Sequence, residues 1–228
     1  MELLDDGNVV KSPWPGSDKE ENIRDIAREA DIYRRIGPHE RLVRLVSYSS
    51  KGLVLEYMPN GDVKTYLQKH DNESIPMNLK LKWACQTAEA VNLLHTNGII
   101  HCDIKPRNLL LDADLNIKII DFSGSSMDGS KQSACETTRF YLPRYWRNPS
   151  TVTTDIFALG STLYEIFKGS SPYADTPSNQ VEILYREREF PDVSALPCGQ
   201  IINECWLSHA DSAEYVQARL RDVIRTQS

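Results

Sequence analysis

The chain has 228 residues, 40% of them apolar and 25% charged, enough for one domain with a full core or two small lobes packed as a unit. Its net charge of −6 argues against nucleic acid or an anionic membrane as the main partner. No apolar run reaches the ~18 residues of a spanning helix, and the acidic start Met1-Glu2-Leu3-Leu4-Asp5-Asp6 lacks the basic-then-apolar build of a secretory signal.

The cysteines, Cys85, Cys102, Cys135, Cys198 and Cys205, are odd in number and lack paired spacing. They fit neither a disulfide framework nor a metal-ligand set and read as free thiols of a reducing compartment. The expected setting is intracellular, in the cytoplasm or the nucleus. In chain order, Asn8-Val9-Val10-Lys11 is a short β-type run, broken by Pro13, Pro15 and Gly16. Residues 18 to 35 carry Ile23, Ile26, Ala27, Ala30 and Tyr33 at helical spacing, with Ser17 or Asp18 as cap and Gly37-Pro38 as stop. Leu42 to Val46 and Leu53 to Tyr57 read as strands joined through Ser49-Ser50-Lys51-Gly52, and Pro59-Asn60-Gly61 marks a break.

From residue 79 helices dominate. Leu81, Ala84, Cys85, Ala88, Val91 and Leu94 form one apolar face that ends at Asn97-Gly98. Leu109-Leu110-Leu111 and Ile117 to Ile120 suggest a hairpin turning at Asp112-Ala113-Asp114, and Thr154 to Phe167 a buried helix. Asp211 and Glu214 are spaced as a capping-box-like start for the last helix. A β-rich part followed by a larger helical part predicts an α+β, two-lobed fold in one domain, residues 1–228, with a partial small lobe over 1–58 and a large lobe over 59–228.

The chemistry is concentrated between residues 101 and 124. Asp103 and Asn108 lie five apart on an irregular stretch between a helix and a hairpin, and Asp121 follows the hairpin. Two carboxylates, an amide and Lys105 gathered in this way suit a metal–phosphate site, because magnesium takes a few oxygen ligands and keeps the rest for phosphate and water. A nearby carboxylate can orient a hydroxyl and accept its proton.

His101-Cys102-Asp103-Ile104-Lys105-Pro106-Arg107-Asn108 resembles the H-R-D-L-x-x-x-N catalytic loop of eukaryotic protein kinases, and Asp121-Phe122-Ser123 resembles their D-F-G. The likeness runs in order along nearly the whole chain. Val9-Val10-Lys11 resembles V-A-I-K, Glu29 stands where the helix-C glutamate belongs, and Leu55-Glu56-Tyr57-Met58 matches the hinge with Leu55 as gatekeeper. Asp155 to Gly160 resembles the large-lobe D-x-x-x-x-G helix, and Gly169 to Tyr173 a G-x-x-P-[FY]. The overall wording is similar to short fungal kinase-like proteins.

The resemblance implies ATP and Mg2+ as cofactors, a protein substrate, and a role for each matching residue. Asp103 would accept or steer the substrate proton, Lys105 would neutralise the transferring phosphoryl group, and Asn108 and Asp121 would hold magnesium. Lys11 would bind the α- and β-phosphates while paired to Glu29; Glu56, Met58 and Leu110 would line the nucleotide site. Asp62 would reach the ribose or the substrate, or simply cap the following helix. His101 would brace the loop against Phe122. Lys105, two residues after Asp103, and Thr137, seven before Arg144, favour Ser/Thr over Tyr as acceptor.

The sequence also departs from the family pattern. Only Gly7 precedes Lys11, so a glycine-rich loop is missing from it. The expectations are a weakened hold on nucleotide and a Lys11 strand left as an open sheet edge; a fragment or a misplaced start would account for the same feature. Cys102 replaces the arginine that pairs with an activation-loop phosphate, so control through Ser125, Ser126, Ser130 or Ser133 is not expected, and its thiol is expected to be inert packing. Ser123 in place of glycine should restrict Asp121.

Arg144 replaces the A-P-E glutamate, and no arginine follows Cys205-Trp206 until Arg219; Arg144 should therefore be solvated or hold a new acidic partner. The leading function is an ATP-dependent Ser/Thr protein kinase. The alternatives are a pseudokinase binding module and a small-molecule phosphotransferase, the latter disfavoured by the Asp155–Gly160 helix, Thr137 and Lys105.

Overall fold

The computed structural model describes residues 2–13, 18–49, 51–145 and 147–227. The Pro15-Gly16 break, the offered cap Ser17 and the hairpin residue Ser50 lie outside them. The first part is an antiparallel sheet, in the order β1-β2-β4-β3, of β1 (Glu2–Leu3), β2 (Asn8–Lys11), β3 (Leu45–Ser49) and β4 (Gly52–Glu56). The expected open edge at Lys11 is corrected: Glu2 pairs with Val10 and Leu3 with Val9. Gly7, at φ 82°, makes the intervening turn and donates its N–H to Leu4 O, a backbone state that glycine enters without a Cβ penalty.

The β3 strand begins three residues later than the apolar run suggests. Ser49 pairs with Gly52, so the register is counted back from that turn, and a bulge between Leu45 and Ser47 shifts it once more. Leu42 and Val43 are apolar for another reason. They are buried off the strand, and Leu42 forms a parallel bridge to Ile119. Ile119 N–H donates to Arg41 O, and Lys118 Nζ to the carbonyls of Glu40 and Leu42. These bonds fasten the sheet part to the hairpin that carries the candidate site.

Helix α1 (Lys19–Ile36) crosses the sheet and buries Ile26, Glu29, Ala30, Ile32 and Tyr33. Its start carries Glu20 and Glu21 and its last turn Arg34 and Arg35, matching the helix dipole. Asp18 sits at the N-cap without a side-chain cap bond, and Gly37 ends the helix at φ 75° with its N–H on Tyr33 O. Ile23, expected on the apolar face, is 43% exposed.

The second part is built on α3 (Met77–Thr96) and α4 (Val152–Lys168), with α2 (Val63–Lys69), α5 (Ser178–Arg186), α6 (Gly199–Trp206) and α7 (Ala213–Gln227) around them. Helix α3 buries more than its predicted stripe, Lys80, Trp83, Thr87 and Ala90 included, because it packs on α4 and α7 and also on the short strand Ile117–Ile119. Trp83 is fully buried with its indole N–H on Leu115 O.

Helix α4 is buried from Thr154 to Phe167, as its sequence predicts, and opens on a capping box of Thr151 and Thr154. A Cβ added at Gly160 would lie 2.6 Å from Cys205 Cβ, so only glycine lets α4 and α6 approach this closely. The start of α7 differs from expectation. Ser212 Oγ, rather than Asp211, accepts from the first turn, from Tyr215 N–H.

Two short antiparallel pairs complete the described residues. Strand β5 (Ile99–Ile100) pairs with β8 (Ser126–Met127), and β6 (Leu109–Leu111) with β7 (Ile117–Ile119). One apolar cluster runs from Ile26 and Leu55 through Val63 to Leu109, Ile117 and Phe122, so the core is continuous across the break at residues 59–61. A second cluster lies among α3, α4, α6 and α7. None of the helices is long and apolar enough to cross a membrane, among the described residues.

Candidate active site

The loop between β5 and β6 is held from beneath by a buried carboxylate. Asp155, on the first turn of α4 and fully buried, accepts from His101 N–H at 2.8 Å and from Cys102 N–H at 3.0 Å, and meets His95 Nε2 at 3.0 Å. Those bonds fix Cys102 at φ 68°, a left-handed conformation that costs a non-glycine residue about 1–3 kcal/mol unless its surroundings impose it. His101 continues the support. Its Nδ1 accepts from Asp103 N–H at 3.2 Å, which leaves Nε2 to donate to Ile120 O at 3.0 Å. Its ring meets Phe122 edge-on at 5.6 Å, and Phe122 meets Tyr33 of α1 edge-on at 5.2 Å. The brace of His101 on Phe122 is thus present, and it extends through Tyr33 into the sheet part.

On this base the predicted residues converge. Asp103 Oδ2 accepts from Lys105 Nζ at 2.5 Å and from Asn108 Nδ2 at 3.1 Å. Asn108 Nδ2 also donates to Asp103 O at 2.8 Å. Asp103 Oδ1 is buried with no hydrogen-bond partner among the described residues, which a carboxylate oxygen tolerates only at a cost of about 1–3 kcal/mol or more.

Across the site, Lys11 Nζ lies 2.6 Å from Glu29 Oε2 and 2.5 Å from Asp121 Oδ1. Burial works against the Lys11 charge, but Glu29 and Asp121 outweigh it and raise its pKa. Burial likewise opposes the Asp121 charge, and the attraction and hydrogen bond of Lys11 overcome it, so the Asp121 pKa is lowered. Asp121 stands at φ 72°, and Ser123 Oγ donates to its Oδ1 at 3.1 Å, a direct tie that a glycine at position 123 could not make.

The fit of a divalent cation follows from the donors. The Asn108 amide nitrogen is spent on Asp103, so its Oδ1 is the atom left to offer a cation beside the Asp121 carboxylate. One carboxylate and one amide oxygen suit magnesium, which keeps several ligand positions for water and phosphate. Lys11 Nζ has three donors and uses two, which leaves one for a phosphate oxygen.

The remaining expectations divide. Asp62 spends both oxygens on Thr65, accepting from its N–H at 2.9 Å and its Oγ1 at 2.8 Å, as the cap of α2. Its backbone bridges Leu110 on the β6–β7 hairpin. The Glu56 side chain turns to Arg44 N–H at 2.8 Å and to Lys118 at 3.8 Å, so its backbone is what it can offer a nucleotide. Met58 is buried and Leu110 half-buried on the cluster beneath. Thr137 lines the same small cavity as Lys105, and its side chain hydrogen-bonds to neither Lys105 nor Asp103.

Arg144 has a new acidic partner, one of the two outcomes its sequence position allows. Its Nη2 lies 2.8 Å from Glu136 Oε2, and their side chains are 11% and 0% exposed. Ser150 joins them, accepting from Arg144 at 3.0 Å and donating to Glu136 at 3.2 Å. Sequence reasoning missed Glu136 and Asp155 as organising residues, although the stranded Arg144 was a signal that a carboxylate had to lie nearby. Cys102 is fully buried and its thiol is pushed up to about 12 by burial first and by Asp155 next, so it is the inert residue expected.

A family model described as a protein kinase domain matches residues 9–216. A probable serine/threonine-protein kinase of Dictyostelium discoideum is 28% identical over 88% of this chain and 24% of its own length. The serine/threonine-protein kinase PDK1 of Cryptococcus neoformans var. grubii is 33% identical over 67% of this chain and 14% of its own, and PKH2 of Saccharomyces cerevisiae 28% identical over 69% and 16%. The chain therefore spans about a quarter or less of these relatives. Together with the two-part α+β architecture and the ordered catalytic-loop residues, the match over residues 9–216 establishes that this chain belongs to the protein kinase family.

Proposed function

We propose that the chain is a single catalytic domain, residues 1–228, that transfers the γ-phosphoryl group of ATP to Ser or Thr hydroxyls of a protein. Residues 1–58 form a partial small lobe and 59–228 the large one. The observation that carries the reading is Asp103: Lys105 and Asn108 hold Oδ2 while Oδ1 stays buried and unpartnered among the described residues. A substrate hydroxyl would satisfy that oxygen. Its proton passes to Asp103 as the hydroxyl oxygen bonds to the γ-phosphorus and ADP leaves. Lys105 lies beside the transferring group, Lys11 takes the α- and β-phosphates with its third N–H, and the backbone of Glu56 and Met58 receives the base. Magnesium, when bound by Asn108 and Asp121, offsets the charge of the phosphates. Serine and threonine are favoured as acceptors by Lys105 and by the serine/threonine-protein kinases among the relatives.

The test is ATP turnover on a pool of Ser- and Thr-containing peptides by the purified chain beside Asp103→Asn. Removing a general base costs ~10²–10⁴-fold, and that loss is expected in kcat with the fold unchanged. Equal rates in the two proteins would mean that this site does no catalysis and would leave a binding module.

A further inference from the structure

Beside the catalytic loop lies a cavity of about 170 Å³ lined by Lys64, Lys105, Arg107, Thr137, Phe140 and Glu165. Its charges are arranged asymmetrically. Glu165, on α4, is 3% exposed with Oε2 buried and without a hydrogen-bond partner among the described residues, and its other oxygen is 3.5 Å from Lys64 Nζ. Burial pushes the Glu165 carboxyl up, while Lys64, Arg107 and Arg139 act in the opposite sense. The carboxylate is thus sealed into the wall, whereas the cations reach solvent. The Lys64 side chain is 31% exposed and that of Lys105 21%. Arg107 is exposed and acts on Glu165 through charge. Asp103 answers Lys105, and the buried Glu165 is shared between Lys64 and Arg107, so among the described residues of this cavity three cations face two carboxylates and positive charge is in excess.

We infer that this cavity selects the protein substrate, taking an acidic side chain, aspartate, glutamate or a phosphorylated residue, two to four positions from the acceptor hydroxyl. The spacing follows from Lys105, which touches Asp103 and also lines the cavity. The two points are therefore on the order of 10 Å apart, and an extended chain advances ~3.3–3.6 Å per residue. Arg107 supplies a planar fork that suits a carboxylate or a phosphate, and Lys64 adds a second cation at the rim. The inference rests on the proposed transferase reading for the meaning of the acceptor, though binding can be measured without turnover.

The experiment is a 15N NMR titration of the whole chain with peptides whose acceptor position is alanine. Glutamate, phosphoserine or lysine is placed in turn at two, three and four residues on either side. Glutamate and phosphoserine peptides are expected to bind at least several-fold more tightly than their lysine counterparts, with shifts at Lys64, Arg107 and Thr137, and to lose that advantage in Arg107→Glu. Arg107 is exposed, so this variant should fold. Lys64→Met combined with Glu165→Gln removes the rim cation without stranding its partner and should weaken the same preference.

Equal affinities, tighter lysine peptides, indifference to Arg107→Glu, or no saturable shift in the millimolar range would each overturn the inference. Tighter lysine peptides would make Glu165 the specificity residue instead. Acidic-selective binding with no turnover of the matching serine peptide would leave the inference standing and overturn the transferase reading. Turnover without any charge preference would do the reverse.

Discussion

Arg144 and Glu136 form a buried ion pair inside one short segment, Nη2 to Oε2 at 2.8 Å, with the guanidinium 4.4 Å above the Tyr141 ring. Ser150 closes the network on both partners. The pair pins the stretch that carries Thr137 to the start of α4, a few residues from Asp155, which holds the catalytic loop. The segment therefore has a carboxylate of its own chain as the partner of Arg144.

Removing one partner should be costly. Arg144→Leu leaves Glu136, with a fully buried side chain, as an unpaired carboxylate, a loss of about 3–5 kcal/mol. At ~2–4 °C per kcal/mol for a chain of this size, the melting temperature should fall by on the order of 10 °C in differential scanning fluorimetry. Arg144→Leu with Glu136→Leu should recover much of that. A single variant as stable as the parent would show that the pair contributes nothing.

Phosphate on the neighbouring serines should not be needed. Ser133 is exposed and its hydroxyl donates to Asp25 at 3.0 Å, so a phosphate there would face a carboxylate. Ser130→Ala and Ser133→Ala should leave the rate of peptide phosphorylation unchanged. Ser125 is a different case: it is fully buried and donates to His101 O at 3.0 Å. Ser125→Ala should lower stability by about 1 kcal/mol through the lost bond, seen as a shifted urea midpoint. A collapse of activity in Ser133→Ala would contradict the account.

The acid limb of stability should depend on Asp121. Its folded pKa lies below the ordinary 3.8, so its contribution is present above that value and disappears as pH falls through the lowered one. Urea midpoints of the parent and Asp121→Asn should differ at neutral pH and converge below pH 3.8. Lys11 acts with the opposite sign. Its pKa is raised above 10.5, so its contribution is complete below 10.5 and is lost only in strong alkali. A gap between the two proteins that persisted undiminished to the lowest pH would rule out the Lys11–Asp121 pairing.

The thiols should separate by burial. Cys135 is exposed, whereas Cys102, Cys198 and Cys205 are buried, and the thiols of Cys102 and Cys198 are pushed up to about 12 by burial. Thiolate is the reactive form. Alkylation at neutral pH followed by mass spectrometry should mark Cys135 first and leave the three buried thiols unmarked until the chain unfolds. Early labelling of Cys102 would place it outside the packed loop.

By itself the sequence determined the inventory. The periodicity of α1, the buried run of α4, the hairpin at Asp112-Ala113-Asp114 and the order of Lys11, Glu29, Asp103, Lys105, Asn108 and Asp121 were all legible. Spacing and residue type suffice for contacts made within an element or across one turn. The tertiary structure decided what depends on residues far apart in the chain. It alone placed Leu42 against Ile119 and Val43 in the core rather than in β3, because turn register outranks an apolar run. It supplied Glu136 for Arg144, put Asp155 under His101 and Cys102, and brought Lys64, Arg107 and Glu165 to one cavity. A buried charge must find a partner, but which one it finds is set by how helices and loops pack, and no local spacing encodes that.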